Sequence, residues 1–302
     1  MPPCLGPGNP VSLLAMVLLV LALLQSAPVP EVTKTGTIRN PRLRESSGVA
    51  VSRTHRGVLW SHNDSGDGPY LYATDLAGSD RGMLRVPGVD PVDWEDIALA
   101  PCPTRPGSCL YIGDTGDNLQ RRRWVALYAV PEPDPPESLT DTPRATEAPA
   151  VLRLRYPDGP QDVEAIYFSF RDSSVYLVTK GNTGSIRLYR VGRPLWRSDT
   201  VVTAQRVQML PIDPSRRQGH RVTGAAMSPD GRLVALRTLS EIYLFTPGPL
   251  GRLVPAARPR CDLTGLQAQG EALDFLDDST LVVTSERSSG KRGSIYTVRC
   301  PT

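Results

Sequence analysis

Five short segments of this chain place a polar side chain at the same point of a recurring strand pattern. The aligned positions hold three glutamates and two hydroxyl residues: Ser47, Glu95, Glu164, Thr223 and Glu271. Carboxylate and hydroxyl oxygens are hard donors, and Ca²⁺ takes about six to eight such ligands at flexible geometry. Carboxylates held close together repel one another unless a proton or a cation compensates them. The set predicts a calcium site if the fold gathers it, and the alternative is a water-filled channel.

The pattern around these positions is a repeat of paired strands. Its copies begin at residues 45, 93, 162, 221 and 269, at intervals of 48 to 69 residues. Each copy joins a short strand that begins with polar residues to a second strand that ends with them. Such self-similarity in a β-rich sequence is typical of a β-propeller, whose radial repetition limits exposed sheet edges. The innermost strands of a propeller meet at one axis, so distant positions would share one site.

The strands can be counted blade by blade. Four copies supply four strands each, whereas the fifth supplies only EALDFL, TLVVTSE and SIYTVRC. The segment EVTKTGTIR near the N-terminus supplies the missing strand, which would close the ring and remove an open edge. The sequence therefore predicts an all-β, five-bladed propeller of four-stranded blades over residues 31–302. Six blades is the alternative, although the extra length at 131–150 is a proline-rich acidic stretch, interpreted as a loop.

The N-terminal segment has the composition of a leader. The first 30 residues contain no Lys, Arg, Asp or Glu, and residues 11–24 are apolar apart from one serine. This length is short for a membrane span and fits a secretory signal peptide. We expect residues 1–27 to be a signal peptide, with an uncleaved anchor as the alternative. The protein would then be secreted or periplasmic, and would contact a membrane only through an uncleaved leader.

Cysteine usage agrees with export. Beyond the leader the chain has Cys102, Cys109, Cys261 and Cys300, and an even number in an exported protein favours disulfides, with three pairings open. Cys102 and Cys109 bracket a tight loop, so we pair them with each other and Cys261 with Cys300. No spacing indicates zinc. The net charge is only +3 and the basic residues are scattered, so nucleic acid is not an expected partner, and we expect a monomer.

A second group of residues lies where the second strand of each copy ends. Antiparallel neighbours bring this point to the same face as the start of the first strand. The candidate catalytic residues there are Asp64, Asp114, Lys180 and Arg237. The two aspartates would hold a cation or position a water, and the two cations would bind an anionic group. Asp67 and Asp117, three residues further on, are interpreted either as turn residues or as part of this site.

A five-bladed propeller with this axial set resembles the calcium-activated nucleotidase (soluble apyrase) family. The hairpins LWSHNDSG from Leu59 and DDSTLVVTSERSSG from Asp277 are similar to segments of that family. The resemblance implies axial calcium and hydrolysis of phosphoric anhydrides or esters. Asn63 stands where the family has an aspartate, and Arg237 is followed by Thr238 where the family has paired basic residues. The pattern DWEDIA with YIGDTGDN is also similar to exported bacterial propellers of unassigned activity, and DVEAIYF to calcium-dependent propeller phytases.

Three functions are compatible with these residues, and they leave open whether the protein is an enzyme. The first is an exported calcium-binding propeller that binds a small anionic ligand or a protein partner, since a propeller fold alone implies no chemistry. The second is a calcium-dependent phosphohydrolase of the nucleotidase or phytase type. The third is a glycosidase, because five-bladed glycosidases also gather carboxylates at the centre.

Overall fold

The structure is a computed structural model that describes Met1 and residues 29–136, 142–192, 196, 199–215, 217, 219–267 and 269–301. The predicted leader falls largely on residues 2–28 and lies outside the described residues. In the described part of the chain, no helix is long and apolar enough to cross a membrane. Apart from one 3₁₀ turn at Pro249–Gly251, the elements of the described chain are β-strands. The all-β prediction is confirmed.

The first strand, β1 (Glu31–Thr37), belongs to the last blade. From the axis outward, blade 1 comprises β2 (Ser46–Val51), β3 (Leu59–Asn63), β4 (Tyr70–Thr74), β5 (Met83–Arg85) and β9 (Arg144–Ala145). Blade 2 comprises β6 (Trp94–Pro101), β7 (Ser108–Asp114), β8 (Val125–Pro131), β10 (Ala150–Arg155) and β14 (Val201–Thr203). The short strands β9 and β14 add parallel fifth strands that the sequence did not predict. β9 lies within the predicted loop at 131–150.

The other three blades have four strands each. Blade 3 comprises β11 (Val163–Ser169), β12 (Ser174–Thr179), β13 (Arg187–Gly192) and β15 (Gln205–Met209). Blade 4 comprises β16 (Val222–Met227), β17 (Val234–Thr238), β18 (Glu241–Pro247) and β19 (Leu253–Asp262). Blade 5 comprises β20 (Gly270–Phe275), β21 (Thr280–Ser285), β22 (Ser294–Arg299) and, outermost, β1.

The ring closes through the first strand of the chain. β1 pairs antiparallel with β22, from Glu31 opposite Arg299 to Thr37 opposite Ser294. Each inner strand packs against the inner strand of the next blade, and β20 packs against β2. This arrangement confirms five blades with N-terminal closure and excludes six. Both ends of the described domain are thereby held in one sheet, which leaves blade 5 no unpaired outer edge at β22.

The core consists of five apolar clusters, one between each pair of neighbouring blades. Trp60 and Leu110 pack between blades 1 and 2, while Val49 and Val282 pack between blades 1 and 5. Burial of apolar surface contributes about 25 cal/mol per Å², so each inter-blade cluster stabilises the ring. Because the strands alternate their side chains between two faces, most blade positions contact one neighbour or the other.

Each of the five inner strands carries one extra residue at the same point. The pairing with the second strand shifts around Ser47, Glu95, Glu164, Thr223 and Glu271. A β-bulge of this kind leaves one residue unpaired, bends the strand and changes the direction of a side chain. The five residues aligned from the sequence are therefore the bulge residues of the five blades.

A second layer of polar contacts links the blades next to the bulges. Asp96 is fully buried, and its Oδ2 accepts hydrogen bonds from the backbone N–H of Ile166 (2.9 Å) and of Ala225 (3.1 Å). One carboxylate of blade 2 thus binds the inner strands of blades 3 and 4. Asp274 links blade 5 to blade 1 in a similar way, because its Oδ2 accepts a hydrogen bond from the backbone N–H of Val51 at 2.7 Å.

Both predicted disulfides are present. Cys102 bonds to Cys109 within the β6–β7 hairpin of blade 2. Cys261 of β19 bonds to Cys300, which follows β22, and so joins blades 4 and 5. Disulfides form and persist in oxidising surroundings, which agrees with an extracellular or other oxidising compartment.

We expect the two disulfides to differ in their contribution to stability. The chain-entropy estimate grows with loop length. For sequence separations of 39 and 7 residues it predicts losses of about 4 kcal/mol for Cys261→Ala/Cys300→Ala and about 2 kcal/mol for Cys102→Ala/Cys109→Ala. Denaturant unfolding of both double variants measures the difference. A larger loss from Cys102→Ala/Cys109→Ala than from Cys261→Ala/Cys300→Ala would contradict this expectation.

Candidate functional site

We call the end of the ring at which the five inner strands begin the upper face. Two groups of carboxylates meet there with their oxygen atoms within 4.8 Å of one another: Asp64, Asp93 and Glu95, and Glu95, Asp162 and Glu164. Glu95 belongs to both groups, so the five residues form one carboxylate cluster. They come from blades 1, 2 and 3. Glu95 and Glu164 are 4% exposed, which removes these two carboxyl groups from bulk water.

Burial and mutual repulsion disfavour charge on this cluster. Burial, reinforced by Asp64 and Asp162, raises the pKa of Asp93 to about 6. Burial raises the pKa of Glu164 to about 7 although Lys180 opposes the shift. Burial, followed by the charges of Glu164, Asp64 and Asp93, raises the pKa of Glu95 well above its ordinary value. Without a cation, the cluster therefore retains protons near neutral pH.

Lys180 is the cation beside the cluster. Its Nζ donates a hydrogen bond to Glu164 Oε1 at 2.6 Å, and the two side chains form an ion pair. Burial opposes the charge on the ammonium group, but Glu164, Glu95 and Asp162 together raise its pKa. Lys180 thus stays charged and compensates part of the negative charge of the cluster.

The two axial hydroxyl residues connect blades. Ser47 Oγ donates to the backbone carbonyl of Glu95 at 2.6 Å, and Thr223 Oγ1 donates to the carbonyl of Glu271 at 2.9 Å. Each hydroxyl therefore donates its hydrogen bond to the bulge of the next blade. Of the five predicted metal ligands, the structure places Glu95 and Glu164 in the cluster, whereas Ser47 and Thr223 hold the ring around it.

Glu271 lies between Glu164 and a second acidic residue of blade 5. Burial, then the charges of Glu286 and Glu164, raises the pKa of Glu271 to about 8, against the effect of Arg237. Glu286 ends the second strand of blade 5, and its pKa rises to about 7 through burial and the charges of Asp64 and Glu45. The two residues extend the set of carboxyl groups with raised pKa values toward blade 5.

Arg237 is fully enclosed between blades 4 and 5. Its Nη1 donates to the carbonyls of Ala272 (2.6 Å) and Thr284 (2.9 Å), and its Nη2 donates to Gln267 Oε1. A Cβ on Gly270 would lie 1.9 Å from this guanidinium group, so only glycine leaves room for it. The structure therefore places this candidate catalytic residue in a structural anchor of backbone carbonyls and the Gln267 amide.

The candidate catalytic aspartates have different surroundings. Asp64 belongs to the cluster. Asp114 is 1% exposed; it accepts hydrogen bonds from the backbone N–H of Val92 and Asp93, both at 3.1 Å, and pairs with Arg122 at 2.8 Å. Its oxygens are therefore occupied by the loop that positions Asp93.

The turn residues have structural partners. Asp117 accepts the backbone N–H of Arg121 at 2.9 Å and of Arg122 at 2.8 Å. Asn63 donates from Nδ2 to Asp67 Oδ2 at 2.7 Å while its Oδ1 accepts the backbone N–H of Glu45 at 2.9 Å. A carboxylate has no N–H to donate, so this network accounts physically for asparagine where the resembled family has aspartate.

The sequence did not assign Asp93 and Asp162 to the site. Both stand two residues before an axial glutamate, at the start of DWEDIALA and DVEAIYFS. This shared offset was the available signal. The glycine of the DTGD turn makes room for the cluster, since a Cβ on Gly116 would lie 2.0 Å from Glu95 Oε1 and 2.4 Å from Asp93 Oδ2.

Comparisons with known proteins do not show a family for this chain. No family model and no curated protein matches the chain. A solved structure described as "Structure of U3-55K" is 16% identical with a TM-score of 0.38, over 84% of this chain and 67% of that chain. One described as "glucose dehydrogenase" is 11% identical with a TM-score of 0.45, over 90% of this chain and 100% of that chain. Matches at this level carry no argument about activity.

The fold and the site together define the class of this protein. It is a five-bladed β-propeller with a carboxylate cluster at the upper end of its axis. The resemblance to the calcium-activated nucleotidases stays a prediction.

Proposed function

We propose that the protein is an exported ligand-binding propeller whose carboxylate cluster holds Ca²⁺. The observation that carries the proposal is the cluster itself, in which five carboxylates from three blades converge beside the ammonium group of Lys180. A divalent ion would relieve their repulsion and replace the retained protons. Because the ligands come from blades 1, 2 and 3, the ion would also link these blades.

The donor set fits a hard cation. All candidate ligands are oxygens, as Ca²⁺ prefers. Asn182 adds a neutral oxygen: its Nδ2 donates to Asp162 Oδ2, while its Oδ1 is buried without a hydrogen-bond partner in the described part of the chain. An unpaired buried carbonyl oxygen is costly. Because the Asn182 amide contacts Asp162, its unpaired Oδ1 is a candidate further ligand for an ion held by Asp162.

A calcium-dependent phosphohydrolase is the second candidate. The observation in its favour is Lys180, whose ammonium group lies beside the cluster and would neutralise an anionic substrate oxygen next to the ion. Asp64 would then position the attacking water. Hydrolysis of nucleoside diphosphates, nucleoside triphosphates and phytate tests this candidate, and Glu164→Gln should abolish activity together with the calcium response.

Thermal unfolding in EDTA and after addition of Ca²⁺ tests the proposed ion. With the ion at about 100 times its Kd, linkage predicts stabilisation by about 2.7 kcal/mol. This corresponds to a rise in Tm of about 5–10 °C for a domain of this size. Mg²⁺ should give a smaller rise, because it demands octahedral geometry.

Glu95→Gln should remove most of the calcium response, since Glu95 belongs to both halves of the cluster. Glu147→Gln is the matched control, because Glu147 is exposed and pairs with Arg105 outside the site. An equal calcium response in both variants, or none in the unmodified protein, would overturn the proposal.

A further inference from the structure

A cleft opens on the upper face beside the ring closure. Its volume is about 640 Å³. Its walls come from β1, from the hairpin between β21 and β22, and from the segment before β20. We call it the blade-5 cleft and define it by six of its lining residues: Lys34, Gln267, Glu286, Lys291, Arg292 and Ser294. The cleft exists only because the first strand completes the last blade.

The cleft has more positive than negative charge. Three basic side chains line it, against the single carboxylate of Glu286 at its inner end. Among the described residues, none of the three basic side chains forms an ion pair. Arg292 is held in place by donating from Nη1 to the carbonyl of Arg39 at 2.8 Å. Lys34 and Lys291 are two of the three lysines of the chain.

The inner wall of the cleft is an ordered hydrogen-bond network. Ser285 Oγ and Ser294 Oγ lie 3.1 Å apart. Gln267 Nε2 donates to the carbonyl of Ser294 at 3.0 Å, and Gln267 Oε1 accepts from Arg237. The buried guanidinium of Arg237 therefore orients the Gln267 amide, with its oxygen toward Arg237 and its N–H groups toward Ser294. This connection adds rigidity next to the three cations.

We propose that the blade-5 cleft binds a tetrahedral oxyanion, the phosphate or sulfate group of a small ligand. Three cations and the hydroxyl groups of Thr37, Ser288 and Ser289 offer the donors that such an oxyanion accepts. Lys180 pairs with Glu164, and the Arg237 guanidinium is buried against backbone carbonyls and Gln267, so neither of these two cations lines the cleft. The anion site is thus assigned to cations of the chain that have no carboxylate partner. It does not depend on calcium in the carboxylate cluster.

NMR of the protein with ¹³C-methylated lysines tests the site, because the signals of its three lysines can be assigned by single substitutions. The metal-free protein in EDTA is titrated with inorganic phosphate and, separately, with sulfate. We expect saturable shifts of the Lys34 and Lys291 signals and an unchanged Lys180 signal. Saturation by both anions supports the shared tetrahedral chemistry, and saturation by phosphate alone assigns the ligand group to phosphate.

Three variants test which side chains determine the affinity for phosphate. Lys291→Ala should weaken phosphate binding about fivefold, the upper range for one exposed ion pair. Glu286→Gln should strengthen it about threefold by removing a like charge at the same site. Arg56→Ala is the control, because Arg56 is exposed in the β2–β3 turn at the opposite end of the ring. No saturable shift at Lys34 and Lys291, a shift of Lys180 alone, or equal weakening by Arg56→Ala would overturn the proposal.

Discussion

Replacing Asp96 with leucine is expected to lower the free energy of unfolding by about 3–5 kcal/mol, because it leaves buried backbone donors without acceptors. Asp96 is fully buried and accepts the backbone N–H of Ile97, Ile166 and Ala225. The last two donors belong to blades 3 and 4. Leucine has the same branching but larger methyl groups, and it accepts no hydrogen bond, so comparison with Asp96→Asn, which keeps the size of the side chain, separates the lost contacts from overpacking. Denaturant unfolding monitored by intrinsic fluorescence gives the value.

Asp96→Asn should lose less stability, since the amide retains one acceptor oxygen and the shape of the side chain. Asp274→Leu removes the acceptor of Val51 N and of Phe275 N, so its effect should fall between those of the two Asp96 variants. Asp90→Leu is the control for a carboxylate lost from an exposed position. A loss below about 1 kcal/mol for Asp96→Leu, within the range of an ordinary substitution, would show that this carboxylate does not hold the blades.

The metal-free protein is expected to lose stability as the pH rises from about 5 to about 8. The folded-state pKa values of Asp93, Glu164, Glu286 and Glu271 are about 6, 7, 7 and 8, all above the ordinary range. The folded protein therefore binds more protons than the unfolded chain in this interval, and the free energy of unfolding falls with rising pH. Even an average excess of only about one proton over about three pH units, fewer than the four raised pKa values imply, corresponds to about 4 kcal/mol.

Calcium should offset this loss of stability. Ion binding releases the retained protons, so the rise in Tm caused by Ca²⁺ should grow from pH 5 to pH 8. Melting curves in EDTA and in Ca²⁺ across this range provide both measurements. Glu164→Gln should flatten the slope in EDTA, because it removes one of the groups that retain a proton. A Tm that rises with pH in EDTA would contradict the raised pKa values on which the expectation depends.

The amino-acid sequence determined the architecture because a propeller repeats its pattern locally. Alternating apolar residues, turn signals and the recurrence of the strand pair were sufficient for five blades, and the strand missing from the fifth copy indicated closure by β1. The same alignment identified the five bulge residues. These positions could be found without coordinates because one extra residue per inner strand is a feature of each repeat.

The tertiary structure alone decided which of these residues share a site. Side chains at equivalent positions have different contacts when the neighbouring blades differ. Ser47 and Thr223 each donate to a carbonyl of the next blade. The equivalent glutamates, in contrast, lie in the carboxylate cluster with two aspartates: Glu95 and Glu164 with Asp93 and Asp162. Arg237 lies in the anchor between blades 4 and 5 because Gly270 leaves space there. Lys34 comes beside Lys291 only through ring closure. Such proximities depend on packing between segments distant in sequence, which no local pattern encodes.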